Sequence, residues 1–341
     1  VLDIIQAETS RSLRAAQSLL RGSLSKEVEL LRENMIGILA HLEAGMDFVE
    51  EDISFVTVPE LQKVLKETHE KLWQLIETFE EGRLLREGIQ AVIMGRVNVG
   101  KSSLLNSLLK MDRAIVSDVP GTTRDVIQEA INIHGIPLHV IDTAGLRTTD
   151  NAIEGEGIRR TEEAIAQADV LLIVIDGSVK LSEEDPSFFK EFCSKRCIIV
   201  VNKVDLPQQI QKKHLEEIFS KIQSRDNRTL KRNRNNTPPI IDLSAKTGEG
   251  LDKLKLEIRN LFYVGGCESG HSVLVTRTRH KVALENARVS VQEALQSVTS
   301  QQAGECIALD IRTALDALGE IIGAVSTDDI LDRIFADFCI G

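Results

Sequence analysis

From Leu13 onward, apolar residues recur in steps of three and four: Ala16, Leu20, Leu24, Val28, Leu31, Met35, Ile38 and Leu42. That spacing draws one stripe along a helical cylinder and predicts a single long helix. The pattern breaks over 47–59. It resumes through Leu61, Leu65, Leu72, Leu75, Ile76 and Phe79 as a second helix with Pro59 in its first turn. After Gly82 the period changes. Short aliphatic runs at 91–94, 127–133, 138–141, 170–175, 198–201 and 240–243 alternate with helical stretches. Runs of that length, several without polar alternation, predict buried strands of a mostly parallel sheet covered by helices. Beyond Gly265 and Gly266 the helical spacing returns and lasts to Phe338. Neither helical flank is able to bury its stripe alone. The expected architecture is an α/β domain at 87–263 inserted into one discontinuous helical domain made of 1–86 and 264–341.

Composition narrows the function classes. The 341 residues are 42% hydrophobic and 27% charged, a balance suited to two or three globular domains. A net charge of −11 argues against a nucleic-acid coat or a polybasic membrane binder. The longest aliphatic run, 170–175, is far shorter than the roughly 20 residues of a membrane span. Five cysteines without a Cys-x-x-Cys pair support neither a disulfide framework nor a zinc cage. A reduced, cytoplasmic protein is expected. The first residue is Val1 and no secretory segment opens the sequence, which reads as a portion of something longer. Arg225, Arg228, Lys231, Arg232 and Arg234 read as a solvated loop rather than an RNA-contacting patch.

Four short motifs carry chemistry, each just after a predicted strand. Gly95-Arg96-Val97-Asn98-Val99-Gly100-Lys101-Ser102 matches the phosphate-binding pattern G-x-x-x-x-G-K-[ST] and opens a predicted helix over 103–109. Its main-chain N–H groups would cradle phosphates at the positive end of that helix, Lys101 would neutralise the β/γ oxygens, and Ser102 would hold Mg²⁺. Asp142-Thr143-Ala144-Gly145 follows, with Asp142 reaching Mg²⁺ through water and Gly145 offering its N–H to the γ-phosphate. In Asn202-Lys203-Val204-Asp205 a buried Asp205 would accept both guanine donors, N1–H and the 2-amino group, a pair adenine lacks. Ser244-Ala245-Lys246 closes the base site, with the Ala245 N–H aimed at guanine O6. Together the four predict a Ras-like P-loop GTPase domain. The phosphate contacts expected are Asn98, Val99, Gly100, Lys101, Ser102, Ser103, Thr122, Thr123 and Gly145; the guanine contacts are Asn202, Lys203, Asp205, Ser244, Ala245 and Lys246.

Between the first two motifs, Gly121-Thr122-Thr123-Arg124-Asp125 has the place of a segment sensing Mg²⁺ and γ-phosphate, with Thr123 preferred over Thr122 as the metal ligand. Small GTPases orient the attacking water with a glutamine just after D-x-x-G, where this sequence has Leu146. A carboxylate of the loop 147–157, which holds Asp150, Glu154 and Glu156, is a candidate replacement. Asn98 either braces its own turn or lends an amide oxygen to a monovalent cation near the β/γ bridge.

GRVNVGKSSLLN (95–106), GTTRD (121–125), DTAGLR (142–147), NKVD (202–205) and SAKTGEG (244–250) resemble the Era/TrmE branch of GTPases. The opening run 4–25 and the ending GAVSTDDILDRIFADFCIG (323–341) resemble the MnmE (TrmE) family of tRNA-modification GTPases. The resemblance implies a K⁺-activated GTPase whose nucleotide domains meet face to face in a homodimer. On the family pattern, Asn98 and the loop from Ser117 to Thr122 hold K⁺, and Glu154 is the catalytic carboxylate. It further implies an FAD-containing partner, MnmG (GidA), and an aminomethyl-type substituent placed on C5 of the tRNA wobble uridine. Tetrahydrofolate would supply the added carbon through an N-terminal domain that these residues do not include. Cys339 matches the cysteine linked to modification. A second reading, an Era- or Der-like RNA-binding GTPase of ribosome assembly, expects a domain such as KH after the nucleotide domain, and no GXXG loop follows Gly266.

Overall fold

The computed structural model describes residues 1–47, 57–111, 130–142, 154–182, 185–192, 195–225, 237–262 and 273–322. The chain divides into two compact units: a helical one of Val1–Ile5, Arg14–Arg86 and Glu268–Gly341, and an α/β one of Gln6–Leu13 and Glu87–Cys267. The helical segment expected over 1–86 is thus interrupted by Gln6–Leu13. Among the described residues no helix is long and apolar enough to cross a membrane.

The single long helix expected from Leu13 is two helices, α2 (Ser10–Leu20) and α3 (Ser23–Asp47), after a short α1 (Leu2–Ile5). Gly22 at φ 73° breaks the helical path, and Ser23 turns its hydroxyl back to the Ser18 main-chain oxygen at 2.7 Å. The second helix is likewise divided into α4 (Val58–Glu77) and α5 (Phe79–Glu87). Thr57 and Glu60 form a capping box at the start of α4, with Pro59 in its first turn. Thr78 ends it: its hydroxyl donates to Leu75 O at 2.7 Å and accepts the Val275 N–H at 3.0 Å. In the helical unit, Leu31, Met35 and Leu39 of α3 share one core with Leu65 and Leu72 of α4. Leu284 and Val291 of α11 (Thr278–Thr299) and Ile311 and Leu318 of α12 (Gly304–Ile322) complete that core.

The α/β unit is built on a six-stranded sheet of order β2-β3-β1-β4-β5-β6. The strands are β1 (Ile89–Met94), β2 (Ala130–Ile133), β3 (Ile136–Asp142), β4 (Val170–Asp176), β5 (Cys197–Asn202) and β6 (Ile240–Asp242). Every pairing is parallel except the β2–β3 hairpin, where His134 and Gly135 take φ 50° and 91°, as a two-residue turn requires. The Thr9 hydroxyl donates to Gly135 O at 2.7 Å, and His139 Nε2 lies 3.4 Å from the Glu8 carboxylate. Burial pushes the Glu8 carboxyl above its ordinary value, against the pull of His139. Strands β1, β4 and β5 are almost entirely buried, as their uninterrupted aliphatic runs require.

Candidate nucleotide site

The candidate residues gather at the carboxyl ends of adjacent parallel strands, the usual ligand-binding edge of such a sheet. Strand β1 ends at Met94 and leads through Gly95–Gly100 into α6 (Lys101–Met111), which starts two residues earlier than the expected 103–109 helix. Two glycines are obligatory here. Gly95 has φ 148°, and a Cβ on it would stand 2.2 Å from Val174 O; Gly100 has φ 99°, and its Cβ would stand 2.2 Å from Asn202 Nδ2. Asn98 takes a left-handed φ of 65°, which asparagine tolerates, and its side chain is exposed. Lys101 folds back over the loop, donating from Nζ to Gly95 O at 3.0 Å and Arg96 O at 2.7 Å. Ser102 and Ser103 lie exposed in the first turn of α6.

Asn202, at the end of β5, is 2% exposed and joins two motifs. Its Nδ2 donates to Val99 O at 2.8 Å, and its Oδ1 accepts the Ala245 N–H at 2.9 Å. The Ala245 N–H, expected to point at guanine O6, thus donates to the Asn202 side chain. One correction concerns Asp205, expected to be buried. It is exposed, because it sits past the end of β5 in the turn 203–206, and it accepts the Ser244 hydroxyl at 2.7 Å. That bond holds its carboxyl below the ordinary value. Lys246 is exposed beside Ala245, and the Ser107 hydroxyl donates to Ala245 O at 2.5 Å, tying α6 to the β6 loop.

Asp176 was missed by sequence reasoning. It closes β4 directly opposite Asn202 in the β4–β5 register and lies 2.6 Å from Lys203 Nζ. Burial raises its pKa, but the bonds from Lys203 and Ser178 outweigh burial and hold it below the ordinary carboxylate value. A signal was available: an aspartate ending a wholly aliphatic strand at the same edge as the other motifs. Gln208 was missed too; its amide donates to Lys203 O at 2.9 Å.

Asp142 ends β3, and its Cα pairs with Ile93 of β1, so it reaches the edge beside the Gly95–Ser102 loop. Glu154 is the first residue of α7 (Glu154–Gln167). The loop expected over 147–157 is therefore helix from Glu154 on. Thr122, Thr123, the segment from Ser117, Gly145, Asp150 and Cys339 lie outside the described residues.

The family model for the MnmE helical domain matches residues 1–339. A protein of Clostridioides difficile (strain 630) named tRNA modification GTPase MnmE is 41% identical over all of this chain and 71% of its own length. One of the same name from Natranaerobius thermophilus is 38% identical with the same coverage. Among solved structures, Aquifex aeolicus Era bound to GDP and aluminium fluoride is 24% identical. That likeness covers 59% of this chain and 65% of Era, with a TM-score of 0.35.

Proposed function

This chain belongs to the MnmE family of GTPases, and on that premise we propose a K⁺-activated GTP hydrolase that serves tRNA modification. It acts with the FAD-containing MnmG to install an aminomethyl-type substituent at C5 of the wobble uridine. The observation that carries the nucleotide reading is Asn202, whose one buried amide holds the Val99 carbonyl of the phosphate loop and the Ala245 amide of the base loop. The two loops are thereby preformed on one rigid strand end, which lowers the ordering cost of binding.

In this reading the N–H groups of Asn98 to Ser103 hold the phosphates at the start of α6, and Lys101 exchanges its two loop carbonyls for β/γ oxygens. Thr122, Thr123 and Gly145 add contacts to the γ-phosphate. Asp205, Ser244, Ala245, Lys246 and Lys203 line the base. Ser102, Thr123 and, through water, Asp142 would hold Mg²⁺, which would supply positive charge to the phosphates. Asn98 and the loop from Ser117 to Thr122 would hold K⁺, which would supply charge complementary to that developing in the transition state. Glu154 orients the attacking water where Leu146 cannot. Two nucleotide domains face each other across GTP in a homodimer, and Cys339 serves the modification step. The helices α11 and α12 after the α/β unit favour this reading over an Era-like RNA-binding domain at that place.

The test is GTP turnover in K⁺ against Na⁺ at matched ionic strength, for the wild type and Asn98→Ala. Stimulation by K⁺ alone, lost in Asn98→Ala with nucleotide binding retained, is expected. Equal rates in both salts would remove K⁺ activation from the proposal. Wobble-nucleoside mass spectrometry in cells relying on this protein tests the tRNA role separately.

A further inference from the structure

The arginine inside the phosphate loop has a partner that the nucleotide reading does not use. Arg96 Nε lies 3.0 Å from the Asp185 carboxylate; the arginine side chain is 46% exposed, the aspartate 11%. Asp185 starts α8 (Asp185–Phe192), and its other oxygen accepts the Ser182 N–H at 2.6 Å. That helix is fixed to the sheet by Phe189, which is fully buried against the core of β1, β4 and β5. One carboxylate therefore holds both the Ser182 N–H before a well-anchored helix and the first turn of the phosphate loop.

The consequence lies in the main chain. The carbonyl oxygens of Gly95 and Arg96 are the two acceptors of Lys101 Nζ. Fixing the Arg96 side chain fixes the peptide that carries one of them, and with it the path into Val97 and Asn98. We infer that Arg96 is a positioning residue for the phosphate loop, acting through Asp185 to hold the entry turn in its nucleotide-ready shape. Its effect falls on the phosphates, which GTP and GDP share, and neither on the choice of base nor on the hydrolytic step.

The test uses the purified full chain and two conservative losses of the ion pair. Asp185→Asn retains an acceptor for the Ser182 N–H and removes the charge; Arg96→Gln removes the other partner. Titration with fluorescent GDP and a non-hydrolysable GTP analogue should show both affinities falling by about two- to fivefold, the scale of a half-exposed ion pair. KM should rise alike while kcat at saturating GTP stays within about twofold. The double variant should be no worse than either single one, and Arg96→Lys should recover part of the loss. Unchanged affinities in both single variants, or additive losses in the double variant, would overturn the inference. So would a fall in kcat without a change in affinity. Thermal unfolding of Asp185→Asn separates a loosened loop from a damaged α8: a Tm shift matching that of an α8 core variant such as Phe189→Ala would also overturn it.

Discussion

Lys203 donates from its ammonium to the main-chain oxygen of Asn98 across 2.9 Å, and both residues hold left-handed backbone, φ 68° and 65°. Two uncommon conformations in separate loops are thus joined by one charge-assisted bond. Asp176, 2.6 Å from the same ammonium, completes the arrangement. Asp176→Asn should lower GDP affinity about three- to tenfold, a cost of roughly 0.7–1.4 kcal/mol, measured by calorimetry. A pH dependence follows as well. The Asp176 pKa is depressed in the folded state, so its stabilisation is full above the ordinary carboxylate value and is lost as pH falls through and below it. Urea midpoints measured from pH 7 to pH 3 should fall more steeply for the wild type than for Asp176→Asn.

Asn202→Ala should unfold the nucleotide edge itself. It leaves the Val99 carbonyl and the Ala245 N–H without their partner, at about 1–3 kcal/mol for each buried group. Urea denaturation should show a loss of about 2–6 kcal/mol, and nucleotide binding should disappear with it.

The exposed Asp205 carboxylate accepts from Ser244 through one oxygen, and in the proposed function it receives the two guanine donors. Asp205→Asn should move preference from GTP toward xanthosine triphosphate, whose 2-oxo group accepts where guanine donates. Competition binding with the two nucleotides reads the shift; an unchanged preference for GTP would remove Asp205 from the base site.

Glu154→Ala should act on turnover and spare binding. Water orientation and transition-state charge together span up to about 10⁵ in rate among GTPases. Single-turnover hydrolysis should therefore fall by orders of magnitude, while GTP affinity changes less than about tenfold. Near-normal turnover with saturating GTP and K⁺ would pass the role to Asp150 or Glu156.

Periodicity made the aliphatic strands and the helical flanks legible, because burial on two faces or one stripe writes itself into residue type. The strand ends then placed the Gly95–Ser102, Asn202–Asp205 and Ser244–Lys246 motifs at one edge of the sheet. The break at Gly22 stayed hidden because the four-residue spacing Ala16, Leu20, Leu24, Val28 runs across it in sequence, although Leu20 is exposed. Partners distant in sequence stayed hidden too: Asn202 reaches Val99 across 103 residues, and nothing in either local pattern reports that pairing. The bond from the Ala245 amide to Asn202 stayed hidden for the same reason, since a motif shows which groups are near a ligand but not which are bound to each other.

The contact between Thr9 and the β2–β3 turn has a bearing on how the protein is made. It closes a loop of 126 residues, so its formation waits on the whole intervening chain. At ribosomal speeds of about 5–20 residues per second, the Gln6–Leu13 segment leaves the ribosome roughly 6–25 s before Gly135 exists to receive it. During that interval its neighbours in α2 and α3 are free to form local helix, which is quick and needs no distant partner. The α/β unit thus seats residues 6–13 only after Gly135 has been made, although they are the part of it synthesised first.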